Sequence, residues 1–518
     1  MRTLILLSGL TLLGPAHALD VTVDTTSDTL LDACTPAAAD CSLRGAITLA
    51  NTGGADRIVF DIPTSDAGFV SATQHWRIST ATDLPVIATA LSIDGYTQPG
   101  AQENTLTPDA GGSNAQLKIE LHGAGSAIGL FNGGALQVRG LVINGFTSSN
   151  LLINAPSGNL VEGCFIGTDV SGQNAVTANG NSQGIRLRGR ATIGGITAAA
   201  RNVISGNGYI GVWDESGATT TLPSTYQGNV FGLGADGTTM LPGQDYGLFM
   251  SGAAEGAQVG GDTIPERNLF GGNEVNAIYL SGNPASANTP LTRIQGNIFG
   301  SDWSGTLARP NGAFPAAANS PQATINIFRS GHCAVIVGGD GPGEGNLIAH
   351  GAAAGVQVST CTHAALTGNI FAGNRIGIDL TPSSVADGPT TNDVDDADEG
   401  GNRLQNTPLI DSVVYSDSGA TVTITYHVDS TITNAAYPLR IDVARGFGGQ
   451  AFAPIMIDTY GGADAQQPRS VSFATSELMG QPLVLSATDA DGNTSEFSSD
   501  LIFANAFEPQ GNTDQVSD

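Results

Sequence analysis

At 518 residues, with 47 acidic side chains against 19 basic ones and a formal net charge of −28, the chain excludes several function classes. Cationic side chains supply most of the affinity for nucleic acid and for anionic membranes, so neither is an expected partner. Glycine is abundant, at 70 residues, and the hydrophobic fraction of 40% is enough for a core, so the composition is that of a folded, turn-rich chain.

The chain opens on Met1-Arg2, followed by an almost wholly apolar run from Leu4 to Gly14 and a small-x-small site at Ala16-His17-Ala18. These features read as a signal peptide over 1–18, cleaved before Leu19. The apolar run is too short for a bilayer span, which takes ~20 residues, and no later run approaches that length. The expectation is an exported monomer, extracellular or at the cell surface and not membrane-spanning.

Residues 19–57 hold one short amphipathic helix. Ser42 is placed to cap it, Leu43, Ala46, Ile47 and Ala50 share a face, and Gly53-Gly54 stop it. Cys34 and Cys41 are close enough to close a small disulfide loop before it, as suits an exported protein.

From Cys164 onward one phrase recurs. Cys164-Phe-Ile-Gly, Asn229-Val-Phe-Gly, Asn297-Ile-Phe-Gly and Asn369-Ile-Phe-Ala are one element, and Asn202-Val-Ile-Ser, Asn268-Leu-Phe-Gly and Asn346-Leu-Ile-Ala are a second version between them. The steps between leading positions alternate long and short: 38, 27, 39, 29, 49 and 23 residues. Within a step lie three short strands with alternating apolar positions, each ending at Gly or Asn. Such a unit cannot bury its own apolar face, but stacked on copies of itself it forms a continuous core. The expected result, over 58–385, is a right-handed parallel β-helix of ~10–12 coils about 4.8 Å apart, with the recurrent Asn stacked into an amide ladder. A solenoid needs its open first coil covered, which is the role expected of the helix. Cys333 and Cys361, 28 residues apart, are spaced to staple adjacent coils, and Cys164, standing where its siblings have Asn, is expected as a buried free thiol. No C-x-x-C pair occurs, which argues against a zinc or redox centre.

The phrases Ser92-Ile-Asp-Gly-Tyr-Thr-Gln-Pro-Gly100, Phe165-Ile-Gly-Thr-Asp-Val-Ser-Gly172 and Arg201-Asn-Val-Ile-Ser-Gly-Asn207 resemble secreted bacterial right-handed parallel β-helix repeat proteins. Cys41-Ser-Leu-Arg-Gly-Ala-Ile47, followed by Ala50-Asn51, resembles the CSLREA-type segment that precedes such helices, with Gly45 where an acid or Ala is usual. The resemblance implies an all-β, pectate-lyase-like solenoid and export. It carries little about activity, because the family is defined by architecture.

Past Leu380 the repeats cease, and 386–404 reads as an acidic linker. From 405 to 505 the runs Thr421–His427, Leu439–Val443, Ser470–Phe473 and Pro482–Ala487 alternate with period two, as in a small antiparallel sandwich. The phrase from Ala487 to Phe497 resembles the last hairpin of bacterial Ig-like modules, and 506–518 is expected as a disordered tail.

Two motif matches carry no chemistry. Gly232-Leu-Gly-Ala-Asp-Gly237 fits a dinucleotide fingerprint and Gly180-Asn-Ser-Gln-Gly184 a nucleophile elbow, yet both sit in repeat turns without the strand–turn–helix context those motifs require. The histidines have no metal spacing and no evident Ser or Cys partner.

Aligning the second strand of each coil places Arg186, Trp213, Phe249, Tyr279, Gln357 and Asp379 in one outward column. Stacked aromatics offer apolar faces to sugar rings, with Arg186 and Asp379 at the ends for hydroxyl or uronate groups; simple packing of the rings against one another is the competing reading. Asp214, Glu215, Glu162, Glu255 and Glu274 are acids that glycoside hydrolysis could use in pairs, but nothing in their spacing makes two converge. Arg186 or Arg188 could serve a lyase as base only by analogy of fold. Asp393, Asp395, Asp396 and Asp398 cluster in the acidic linker, with Asp489 and Asp491 as a second group. Clustered carboxylates suit calcium, and a solvated acidic linker is the alternative. Taken together, the sequence points to a secreted or surface-displayed protein contacting glycans or cell surfaces in an adhesin-like role, with an extracellular polysaccharide lyase or glycoside hydrolase as the competing class.

Overall fold

The computed structural model describes residues 19–498 apart from 178–181, 217–222, 253–255, 283–289, 313–322 and 384–386. The expected signal peptide and tail therefore lie outside the described residues, as does Glu255. Among the described residues no helix is long and apolar enough to cross a membrane.

The fold is built from long parallel sheets, as expected of an all-β solenoid. One column of strands forms an eleven-stranded sheet that ends at Ile370–Ala372, and two further columns merge into an eighteen-stranded sheet through the long strand Ile325–Val337. The register is strict. Val21, Ile58, Ile93, Val138, Val161, Ile193, Tyr226, Val259 and Ile294 follow one another rung by rung with their side chains in the core. In the eleven-stranded sheet Phe231, Phe270 and Phe299 stack at 4.5 and 4.9 Å between ring centres.

The recurrent asparagines do form a ladder. Each side-chain amide donates to the next side-chain oxygen, from Asn202 through Asn229, Asn268, Asn297 and Asn346 to Asn369, at 2.9–3.1 Å. A second ladder was not foreseen: Asn150, Asn207, Gln244, Asn273 and Asn311 are linked in the same way at 2.8–3.0 Å. Its trace in the sequence is the Asn five positions after the first in Asn202…Asn207, Asn268…Asn273 and Asn369…Asn374. Long steps differ from short ones by an inserted hairpin, closed by the bridges Thr168↔Ala175, Leu233↔Met240 and Ser301↔Ala308. The apparent dinucleotide motif lies in the second of these hairpins, and the next element is the strand Tyr246–Met250 rather than a helix.

Parallel pairing starts earlier than residue 58. Asp20–Val23 already pairs in register with Arg57–Phe60, so the first strand precedes the helix. The helix, Leu43–Asn51, is capped by Ser42, whose hydroxyl accepts from the Gly45 main-chain N–H at 3.0 Å, and it buries Leu43, Ala46, Ile47 and Ala50 in the solenoid core. Position 45 has no room for a side chain: a Cβ on Gly45 would lie 1.7 Å from the Leu31 carbonyl oxygen. Cys34–Cys41 and Cys333–Cys361 are disulfides, the second joining adjacent rungs, and Cys164 is a buried free thiol. Burial pushes that thiol up to about 12, which leaves it unreactive near neutrality.

Two three-stranded antiparallel sheets follow. One holds Leu409–Tyr415, Thr421–His427 and Arg469–Ala474, the other Ala451–Tyr460, Leu439–Gly446 and Leu483–Thr488, around a separate core that includes Val422, Ile424, Ile441, Val443 and Leu485. The ten-residue strand Ala451–Tyr460 escaped the sequence reading because Pro454 interrupts it. It is an edge strand, and Pro454 sits beside a register shift, where a missing N–H costs little.

These sheets close the far end of the solenoid. Past Gly351, whose main-chain N–H donates to Asn374 Oδ1, Gln450 bonds Asn374 through both its oxygen and its amide, at 2.8–3.1 Å. Asn493 accepts from the His363 N–H, Thr494 from Leu366 and Glu496 from Leu380, each at 2.8–3.0 Å. The 386–404 segment is no free linker where it is described: Asn402 bonds both main-chain groups of Ala364, and Leu404 is buried in the solenoid core.

Candidate functional site

The outward column is in register as aligned. Arg186 pairs with Trp213, Trp213 with Phe249 and Phe249 with Tyr279, and then Asn326, Gln357 and Asp379 continue the line. A strand's alternation forces this, because the flanking Val212, Leu248 and Ile278 fill the core. Trp213, Phe249 and Tyr279 are half-buried and touch along the column, at 6.0 and 4.9 Å between ring centres. Three more rings join them. Tyr246 meets Tyr209 at 5.6 Å and Phe249 at 5.2 Å, and Phe328 lies 6.5 Å from Tyr279. Tyr209 and Tyr246 were legible only as neighbours of the aligned positions, in Tyr209-Ile-Gly-Val-Trp213 and Tyr246-Gly-Leu-Phe249.

Arg186 closes one end of this band. Its guanidinium lies 4.5 Å from the Trp213 ring and donates to both oxygens of Glu215, at 2.8 and 3.1 Å, and Arg188 donates to Glu215 as well. Those two arginines hold the Glu215 carboxyl below its ordinary range against the cost of its partial burial. Trp213 also donates from Nε1 to the Ser251 hydroxyl at 2.9 Å, so its ring is fixed in place.

Asp379 does not close the other end as an exposed group. Asp379 and Gln357 are buried at 1% and 0% exposure, because the C-terminal sheets and the segment after 386 fold over the last rungs. Burial, with Asp387 nearby, pushes the Asp379 carboxyl up to about 6. The remaining acids do not converge. Asp214 is fully buried, accepting from the Tyr226 hydroxyl at 2.6 Å and from Ser216; Glu162 faces Arg139; Glu274 accepts from the Gly243 N–H. Among the described residues two histidines do have a hydroxyl neighbour: His363 meets Thr362 at 2.6 Å, and His75 lies between Thr73 at 2.6 Å and the buried Glu120 at 2.9 Å. Arg77 and Asn144 also bond Glu120, so the cluster ties strand His75–Thr80 to Ile119–Gly123.

In the acidic segment, carboxylate oxygens of Asp393, Asp396 and Asp398 come within 4.8 Å of one another. Asp393 Oδ1 and Asp398 Oδ1 are shielded from solvent and have no hydrogen-bond partner. Asp395 belongs to a different environment: its carboxylate accepts from Gln466 Nε2. Asp489 is likewise engaged, accepting from the main chains of Asp491 and Asn493 and so shaping a turn. The calcium expectation therefore narrows to three residues. If they hold calcium, the melting transition should rise by several degrees in millimolar Ca2+ relative to chelator. An unchanged transition with no bound metal leaves a structural acidic segment.

No family model matches the chain, and no curated protein matches it significantly. Among solved structures, it is similar to ORF18 of Geobacillus virus E2, at 12% identity and a TM-score of 0.26, over 93% of this chain and 86% of that one.

Proposed function

We propose that this is an exported, right-handed parallel β-helix protein with an Ig-like C-terminal module, which binds glycans on a cell surface or in the surrounding matrix in an adhesin-like role. The observation that carries this reading is the band of rings from the half-buried Trp213 to the exposed Phe328, flanked by Arg186. Rings fixed on consecutive rungs, 4.9 to 6.0 Å apart and tilted against one another, offer apolar surface at little entropic cost. Arg186 adds donors for hydroxyl or uronate oxygens. The two disulfides support an oxidising destination.

The test is a panel of acidic and neutral polysaccharides presented to the mature protein. Trp213→Ala should weaken binding about tenfold or more and leave the protein folded, with a modest drop in the unfolding midpoint from the lost contacts to Phe249, Arg186 and Ser251, because the side chain points away from the core. Binding unaffected by this change would sink the aromatic platform. Reproducible release of reducing ends or unsaturated products, abolished by Glu215→Gln or by replacing Arg186, would establish a hydrolase or lyase instead.

A further inference from the structure

Where the last rungs meet the C-terminal sheets there is a cavity of about 680 Å³. Ile376, Ile378, Pro389, Leu409 and Phe497 supply apolar wall, and Asp379, Asp387 and Glu496 bring three carboxyl groups against a single arginine, Arg375. The volume falls in the range of small-ligand sites, about 300–1,000 Å³, and a mostly apolar wall with a few convergent polar groups is their usual make-up.

Asp379 is the informative member. It is 1% exposed, it lines the cavity, and its Oδ1 has no hydrogen-bond partner. A buried carboxylate oxygen without a donor costs about 1–3 kcal/mol or more, so its retention calls for an occupant that donates to it. Glu496, 4% exposed, does not need one: its oxygens accept from the main-chain N–H groups of Leu380 and Thr390 at 2.8 and 2.9 Å. Glu496 therefore serves to hold the cavity's shape, and it becomes a negative charge only when an arriving cation displaces its proton.

The charge balance narrows the ligand. Three acids sharing a poorly solvated space repel one another, and the exposed Arg375 offsets only part of this. A metal ion is a poor fit. Among the described residues, the acids whose oxygens converge tightly enough for one are Asp393, Asp396 and Asp398, and this group is not among them. A neutral hydroxyl would satisfy Asp379 Oδ1 but leave the excess negative charge uncompensated. A protonated amine does both, and the apolar wall accommodates the carbon skeleton behind it.

We propose that this joint cavity is a binding site for a small primary amine on a partly apolar skeleton, with its ammonium group donating to Asp379. The site is independent of the aromatic band and stands or falls separately from the glycan reading. Burial holds Asp379 up to about 6 and Glu496 up to about 8, so at pH 7.5 Asp379 is ionised and ready to accept while Glu496 holds a proton that an arriving cation displaces.

Titration calorimetry of the mature protein with hexylamine and hexan-1-ol at pH 7.5 tests this. The amine should bind about tenfold or more tighter than the alcohol, as a charge-assisted hydrogen bond in a low-dielectric site warrants, and Asp379→Asn should remove the difference. The heat should also vary with buffer ionisation enthalpy, reporting proton release. Equal affinities overturn the proposal. So does a preference that survives Asp379→Asn and vanishes in 0.5 M salt, since that would be general attraction to a chain of net charge −28. Should Asp379→Asn not fold, the unaltered protein still decides: amine selectivity with proton release supports the site, and absence of either rejects it.

Discussion

Replacing Asn268 with alanine is expected to destabilise the protein by roughly 3–5 kcal/mol, against under about 0.5 kcal/mol for Ile196→Ala on the surface. Asn268 is fully buried, whereas Ile196 is 61% exposed. The Asn268 side-chain oxygen accepts from both the main-chain N–H and the side-chain amide of Asn229, each at 3.0 Å. Its amide donates to the Tyr226 carbonyl at 2.7 Å and to Asn297 Oδ1 at 2.9 Å. Alanine leaves two donors of the preceding rung and one carbonyl without partners, in a place water does not reach, and each orphan costs about 1–3 kcal/mol. Because neighbouring rungs share these bonds, the damage should be centred on them. Hydrogen exchange should accelerate at rungs near Asn229 and Asn297 before it does at the helix. Guanidinium unfolding reads the total, and equal costs for the two variants would remove the ladder as a source of stability.

Stability should be greatest on the acid side of neutrality and decline from about pH 4.5 to pH 8. The reason lies at the joint. Glu496, desolvated and facing Asp379, is pushed up to about 8, and Asp379, desolvated and facing Asp387, to about 6; Arg375 and the Leu380, Gly388 and Thr390 N–H groups act in the other direction. Between the ordinary carboxyl range and these raised values, the folded state holds protons that the unfolded chain has released. Stability therefore falls as pH rises through that window and levels off above it, by an amount on the order of 2–4 kcal/mol. The opposite sign applies to Glu120. His75, Arg77 and Asn144 hold it down at about 2, so its contribution is present at neutral pH and is lost as pH falls toward that value. Self-repulsion of the acidic chain also lessens toward its isoelectric point near 4.3. Unfolding midpoints measured from pH 4 to 9 check the slope, and Glu496→Gln should flatten a large part of it, leaving the shares of Asp379 and of Asp396, whose burial also pushes it up to about 6. A protein equally stable at pH 5 and pH 8 would show that neither carboxyl is shifted in the folded state.

Much of the solenoid was legible because a coil is a contiguous stretch of chain, and its contacts with the next coil repeat by translation. An Asn returning every 23–49 residues records its own ladder, and the apolar alternation between those positions records which side chains point inward. The helix cap and both disulfides were readable for the same local reason. Even the outward column could be aligned rung by rung, since register follows from the inward residues once the core is filled.

The joint has no such period. Glu496 reaches Leu380 across 116 residues, Asn493 reaches His363 across 130 and Gln450 reaches Asn374 across 76. Each is a single contact between segments with unrelated patterns, so no spacing announces it. That is why Asp379 reads as one more outward residue of a rung and yet lies buried against an acidic cavity. It is also why Asp393, Asp396 and Asp398 come together while Asp395, between them in the chain, does not. Repetition writes itself along the chain. The covering of the last coil depends on distant segments meeting once, and only their packing determines which polar groups lose water and which find partners.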